Sequence, residues 1–182
     1  MQRNAAWKPL VFLVALCLVA PVAAEVAMTK DEALNAAFPD AEQIDKEILY
    51  FSEAERERVA EVARAPVDSR MFTVYKARAG GEVTGYAFID TRTVRSKPVA
   101  FLVVLEPDGT VRASRVLAWN EPPEYRPPER WLAQFTGQGV ERATRLGGKI
   151  QAMSGATLTS ETLTDGIRRV LAIHRVKLAG ED

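Results

Sequence analysis

Hydrophobic and polar positions divide the chain into stretches of distinct periodicity. Leu10 to Ala24 is almost uninterruptedly apolar. Two short segments then carry helical spacing behind matching start signals. Thr29-Lys-Asp-Glu32 is a capping box ahead of Ala33, Leu34, Ala37 and Phe38, stopped by Pro39; Ser52-Glu-Ala-Glu55 repeats the device ahead of Val59, Val62 and Ala63, ending near Pro66. Between them Ile44, Ile48, Leu49 and Tyr50 fit a strand or a helix end, and the charged run from Glu53 to Glu61 reads as a solvated helix face.

From Met71 the residues turn β-branched and aromatic. MFTVYKARA, EVTGYAFIDTRTV, PVAFLVVLEP and TVRASRVLAW predict four strands, and Gly80-Gly81 and Asp108-Gly109 supply tight turns, so consecutive strands should pair antiparallel as a meander. VAFLVVL is apolar throughout, which predicts a central strand covered on both faces.

Residues 121–130, EPPEYRPPER, hold four of the ten prolines and predict a stiff surface loop, since proline cannot donate to a sheet ladder. Pro128 suits the first turn of a helix carrying Trp131, Leu132 and Phe135 and ended by Gly137. Gly147-Gly148 predicts a turn and Lys149-Ile150-Gln151 a short strand. Leu163, Ile167, Val170, Leu171, His174 and Leu178 form one apolar face of a last helix, with Thr159 or Ser160 as its cap and Glu161 in its first turn. The fold class expected is α+β, an antiparallel β-meander packed with helices.

Composition changes the picture mainly at the N-terminus. Arg3 and Lys8 precede the apolar run, which Pro21 interrupts and Val22-Ala23-Ala24 closes with small residues; this is the layout of a signal peptide cleaved after Ala24. The mature chain is then expected to be periplasmic or otherwise exported, and membrane-anchored only if the leader is retained. Cys17, the one cysteine, reads as a hydrophobic leader residue, so a mature chain has no disulfide, thiolate metal site or c-type haem attachment. One histidine and no mature cysteine leave little for metal chemistry. Taking Arg3 and Lys8 from the 24 basic residues leaves 22 against 24 acidic ones, a balance without the basic excess that nucleic acid would ask for. The organisation expected is a leader over residues 1–24, a helical segment over 25–69 and a main domain over 70–182.

Candidate chemistry gathers in MSGATLTSET, residues 153–162, at a turn from a strand into a helix N-terminus. Unpaired N–H groups and the helix dipole favour an anion such as phosphate there. Gly155 and Ala156 leave room for a bulky group, and Gly155 can take a positive φ. A well-capped, tightly packed turn is the alternative.

SGATLTS, following Lys149-Ile150-Gln151-Ala152-Met153, resembles the attachment motif of the FMN-binding domain family, which includes the covalently flavinylated subunits of the sodium-translocating NADH:quinone oxidoreductase and of the Rnf complex. Gly85-Tyr86-Ala87, Asp108-Gly109-Thr110 and Trp131-Leu132-Ala133-Gln134-Phe135-Thr136-Gly137 extend the likeness over roughly residues 70–178. The resemblance implies an FMN cofactor esterified through its phosphate to Thr157, with Ser154, Gly155 and Ala156 as the motif around it and Met153, Leu158, Thr159, Lys149 and Trp131 as further cofactor-binding candidates. Lys149 would serve as counter-charge, and Trp119, Tyr125, Trp131 and Met153 as walls for the flavin ring, each of them also suited to plain packing.

Nothing near Thr157 supplies a base, so the family's separate flavin transferase, with FAD as donor, is the implied catalyst. An exported protein meets no pool of free flavin, and a covalent bond prevents loss of the cofactor by mass action. The protein is thus expected to be a redox carrier, more than a stand-alone enzyme, passing electrons between partners that can include membrane-bound ones. Two features depart from the family: Gln151 stands where the pattern has Asp, and Asn120-Glu121-Pro122-Pro123 replaces a Glu-Thr-Pro-Gly type loop, which favours a stand-alone exported carrier. A module of the same fold that holds FMN non-covalently, or has lost it, is the alternative. A serine hydrolase built on Ser154 or Ser160 with His174 as base is a distant third, since the Gly-x-Ser-x-Gly elbow is lacking.

Overall fold

The computed structural model describes residues 25–26, 28–140 and 149–180. The leader expected over residues 1–24 and the Gly147-Gly148 turn lie outside them. Among the described residues no helix is long and apolar enough to cross a membrane.

Both capping boxes form. The Thr29 hydroxyl accepts the Glu32 N–H at 3.3 Å while the Glu32 carboxylate accepts the Thr29 N–H at 2.9 Å, opening α1 (Lys30–Ala37). Ser52 and Glu55 do the same for α2 (Glu53–Ala63), which ends on Arg64 in the left-handed region. Between these helices QIDKEILY is a full strand, β2 (Gln43–Tyr50). It pairs antiparallel with β3 (Met71–Ala79) from Gln43 opposite Arg78 to Tyr50 opposite Met71. The segment over 25–69 is therefore not helical throughout. Asp45, Lys46 and Glu47 dilute the apolar alternation that would have marked a strand, and charge of this kind is what a sheet edge tolerates.

The meander continues through β4 (Glu82–Thr93), β5 (Pro98–Leu105) and β6 (Val111–Trp119), and a two-residue β1 (Glu25–Val26) pairs on the far side of β6. The sheet order is β1-β6-β5-β4-β3-β2, antiparallel at each pairing. β5 is central and covered on both faces, as its apolar run predicts. Val99, Phe101, Val103 and Leu105 enter the larger core, and Leu102 and Val104 a smaller one with Leu34 and Phe38 of α1.

The larger core is closed by α2, by α3 (Glu129–Leu132, prolonged as a 3-10 turn over Ala133–Phe135) and by α4 (Thr157–Ile173), whose last turn widens to a π-helix over His174–Leu178. The predicted stripe of α4, Leu163, Ile167, Val170, Leu171, His174 and Leu178, is buried along its whole length. Arg169 on the same helix is buried too, donating to Asp90 of β4 at 3.0 Å and to the Pro66 carbonyl at 3.1 Å. α4 thus lies fixed across the sheet, and its two ends face different surroundings.

Candidate functional site

The chain approaches the start of α4 along a tied path. Ile150 is fully buried and makes a single β-bridge in place of the predicted short strand. The Gln151 N–H donates to Gln134 Oε1 at 2.8 Å, and its carbonyl accepts the Trp131 indole N–H at 2.7 Å, so α3 and its 3-10 extension hold this residue from both sides. The Ala156 N–H then donates to the Met153 carbonyl at 3.1 Å around Gly155, whose φ is +77°. A Cβ at Gly155 would meet nothing within 4 Å, so conformation, not crowding, calls for glycine.

The helix starts at Thr157, two to three residues before the expected cap. Its N-cap is Ala156, which offers no side-chain hydrogen bond, and no acidic residue stands in the first turn. Thr159 and Ser160 do not cap; both are buried inside the first turn. The Ser160 hydroxyl accepts the Met153 N–H at 2.9 Å and donates to the Ala156 carbonyl at 3.1 Å. Glu161 falls in the second turn. The left-handed glycine brings the chain into helical conformation early, which moves each of these residues by about one helical turn.

Thr157 itself is exposed, as are Ser154 and Gly155 before it, and Leu158 after it presents 51 % of its surface to solvent. Next to this turn lies a cleft of about 650 Å³. It is lined by Met153, Ser154 and Ala156 of the turn, by Trp131, Gln134 and Gln151, and by Glu124, Arg126, Pro128 and Arg130 of the proline-rich segment. The volume lies within the range of small-ligand sites, roughly 300–1,000 Å³, and the lining mixes apolar surface with a few polar groups, as such sites do. An anionic, flat-ringed group would find an uncapped helix N-terminus, two guanidinium groups and an apolar wall together, so the residues present fit a flavin mononucleotide.

Of the other candidates, Trp131 lines the cleft but is largely a packing residue, edge-on to Phe135 at 5.4 Å. Trp119 and Tyr125 do not line it. Trp119 is buried with its indole N–H on the Pro122 carbonyl at 3.1 Å, and Tyr125 lies under the Arg95 guanidinium at 4.5 Å. Lys149 is exposed and is not part of the lining, so no counter-charge role follows from its position. Thr159 is shut inside the helix start, away from the cleft.

Arg126, Arg130 and Gln134 are not singled out by sequence, because the proline spacing of residues 121–130 marks a surface loop without saying what the loop covers. Glu121 escapes sequence reasoning as well. It is 6 % exposed, and one of its carboxylate oxygens accepts the backbone N–H groups of Arg95, Ser96 and Lys97 at 2.8, 2.7 and 2.8 Å. Burial pushes its pKa up, but those three donors outweigh burial and hold it below the usual carboxylate range. This carboxylate fastens the start of the cleft's proline-rich wall to the β4–β5 turn.

His174 lies at the opposite end of α4, 4 % exposed, edge-on to Tyr86 at 5.0 Å. Gly109, at φ +82°, lies directly against its ring: a Cβ there would come within 2.4 Å of His174 Nδ1. Fourteen residues of helix, about 20 Å, separate His174 from Ser160, and more from Ser154, so no hydrolase pair forms. The Gly85-Tyr86-Ala87 and Asp108-Gly109-Thr110 likenesses therefore converge on packing around His174, far from the cleft.

Residues 95–172, from the β4–β5 turn through most of α4, match the family described as the FMN-binding domain. Among curated proteins the chain is similar to a component of the Na(+)-translocating ferredoxin:NAD(+) oxidoreductase complex of Acetobacterium woodii, 26 % identical over 65 % of this chain and 63 % of that protein. It is also similar to a component of the ion-translocating oxidoreductase complex of Cereibacter sphaeroides, 29 % identical over 63 % and 59 %. The chain spans about three fifths of the length of these relatives. In solved structures its fold is similar to that of Shewanella oneidensis NqrC, with a TM-score of 0.50 and 17 % identity over 75 % of this chain and 81 % of that one.

Proposed function

We propose, from the premise that residues 95–172 are an FMN-binding domain, that the protein is an exported electron carrier whose FMN is joined by a phosphoester to Thr157 Oγ1. The observation that carries the proposal is an exposed threonine at the first position of an uncapped helix, directly after the cleft-lining Ala156. The amide N–H groups of Thr157, Leu158 and Thr159 precede the first helical bond, which the Ser160 N–H makes to the Ala156 carbonyl at 3.1 Å, and no side chain caps them, so they suit a phosphodiester. Trp131, Met153 and Pro128 offer apolar surface for a ring, while Gln134 and Gln151, tied to each other and to Trp131, keep that surface in place.

Bound FMN supplies the electron-transfer chemistry, one or two electrons at a time. The chain contributes position, partial exclusion of water and the charge of Arg126 and Arg130. Attachment is the work of a separate flavin transferase: the Thr157 oxygen displaces AMP from FAD, forming the threonine–phosphate bond and breaking the pyrophosphate, and the threonine proton goes to a base of that enzyme. The relatives' names as subunits of ion-translocating complexes make a membrane-bound redox partner the proposal for this chain, and the leader motivates export.

The test is co-expression with a flavin transferase, followed by fluorescence in a denaturing gel and intact-mass measurement. A gain of FMN minus water on the wild type, lost in Thr157→Ala with no change in melting temperature, is the expected result. A fluorescent band persisting in Thr157→Ala would move the acceptor elsewhere. An unlabelled wild type that still retains FMN on a desalting column would favour the non-covalent module, for which Gln151 in place of an acidic residue is the specific motive.

A further inference from the structure

We propose that Ser160 is the positioning residue for the Thr157 acceptor: it pins the preceding turn from inside the helix so that the first-turn amides stay available to the phosphate. The inference rests on the reading of Thr157 as the attachment site.

A serine in a helix commonly donates back to the carbonyl four residues earlier, and Ser160 does so to Ala156 at 3.1 Å. Its oxygen also accepts the Met153 N–H at 2.9 Å, from the chain entering the turn. One hydroxyl, 0 % exposed, thus ties together both ends of the turn whose Ala156 N–H closes on the Met153 carbonyl at 3.1 Å. An ordinary Ser, Thr or Asp cap at position 156 would stabilise the same turn by accepting an N–H from the second or third helical residue, and would occupy the place of an anion. Alanine at the cap and serine four residues on achieve the fastening without using those donors. Thr157 directly follows the tied turn and lies within the Ala156–Ser160 stretch that the back-bond closes, so its direction depends on both bonds.

The experiment is a time course of flavin incorporation into the full-length protein, using purified flavin transferase and FAD. Hydrogen exchange of the Met153 amide is followed in the unlabelled protein. Ser160→Ala is expected to fold, to take up flavin roughly tenfold more slowly or worse, and to lose protection at Met153; Ser160→Thr, which keeps the hydroxyl, restores both. Thr164→Val is the control, because the Thr164 hydroxyl donates to the Ser160 carbonyl at 2.6 Å and does not touch the turn. It should label at the wild-type rate, whereas a merely structural role would slow both variants alike. Ser160→Ala labelling at the wild-type rate overturns the proposal. If Ser160→Ala does not fold, an unprotected Met153 amide in the wild type overturns it and a protected one sustains it. Failure of the acceptor reading is separately visible, as flavin retained by Thr157→Ala.

Discussion

The two ends of α4 use the same residue types to opposite effect. At its N-terminus a left-handed glycine, Gly155, faces open space, the cap is an alanine, and Thr157 and Leu158 are exposed. At its C-terminus a left-handed glycine, Gly109, is pressed against a buried imidazole. There Lys177 reaches Glu55 at 2.7 Å, joining the π-helical turn to the start of α2. One end is built to be approached and the other to hold the layers together. The contrast shows how a single helix can keep a reactive hydroxyl at the surface: its anchorage is placed at the far end and along its middle, where the apolar face from Leu163 to Leu178 is buried.

The largest effect should separate the two glycines. Gly109→Ala forces a Cβ into the His174 ring and strains a positive φ, and should cost on the order of 3 kcal/mol, lowering the melting temperature by roughly 10 °C. Gly155→Ala meets no neighbour and should cost only about 1 kcal/mol of backbone strain while slowing flavin attachment. Equal losses of stability at the two positions, read by thermal unfolding, would break the comparison.

A smaller effect is expected where the cleft meets the core. Trp131→Phe removes the indole N–H from the Gln151 carbonyl, for about 1 kcal/mol, and loosens the approach to Met153. Chemical denaturation measures the first, and the rate of flavin incorporation the second. Unchanged values of both would make Trp131 a filler only.

The smallest effect is one of pH. Hydrogen bonding by Lys177, then by the Ser52 N–H and hydroxyl, lowers the Glu55 pKa to about 2. The unfolded value is about 4.3. A pKa depressed on folding gives stability that is complete above the unfolded value and is lost as pH falls through the folded one, here between about 4 and about 2. Glu55→Gln should flatten acid unfolding in that window and lower neutral stability by the same amount, the two profiles meeting near pH 2, and the amount is small because both partners are partly solvated. A wild-type acid profile in Glu55→Gln would remove this ion pair from the account of the far end.

Much of this architecture is written in local pattern. The capping boxes at Thr29 and Ser52, the meander from Met71 to Trp119, the central burial of VAFLVVL and the apolar face of α4 each depend on neighbours a few residues away. Periodicity therefore reveals them. The attachment motif is equally local: SGATLTS is legible as a likeness, and its residues do sit at a helix N-terminus.

What local pattern could not decide lies in contacts between distant segments. Glu121 is buried because a turn 24 to 26 residues earlier presents three N–H groups to it. β2 is a strand because β3 offers it an edge, despite three charged residues in its middle. Ser160, a cap by its spacing, is a buried tie in the fold, since the left-handed turn at Gly155 starts the helix early and points that hydroxyl inward. Sequence alone determined most of the elements, β2 excepted, and which hydroxyls were eligible. Only tertiary packing decided which hydroxyl stays in solvent and which are spent on holding it there, because a side chain's direction at a helix start depends on the residue where the helix begins.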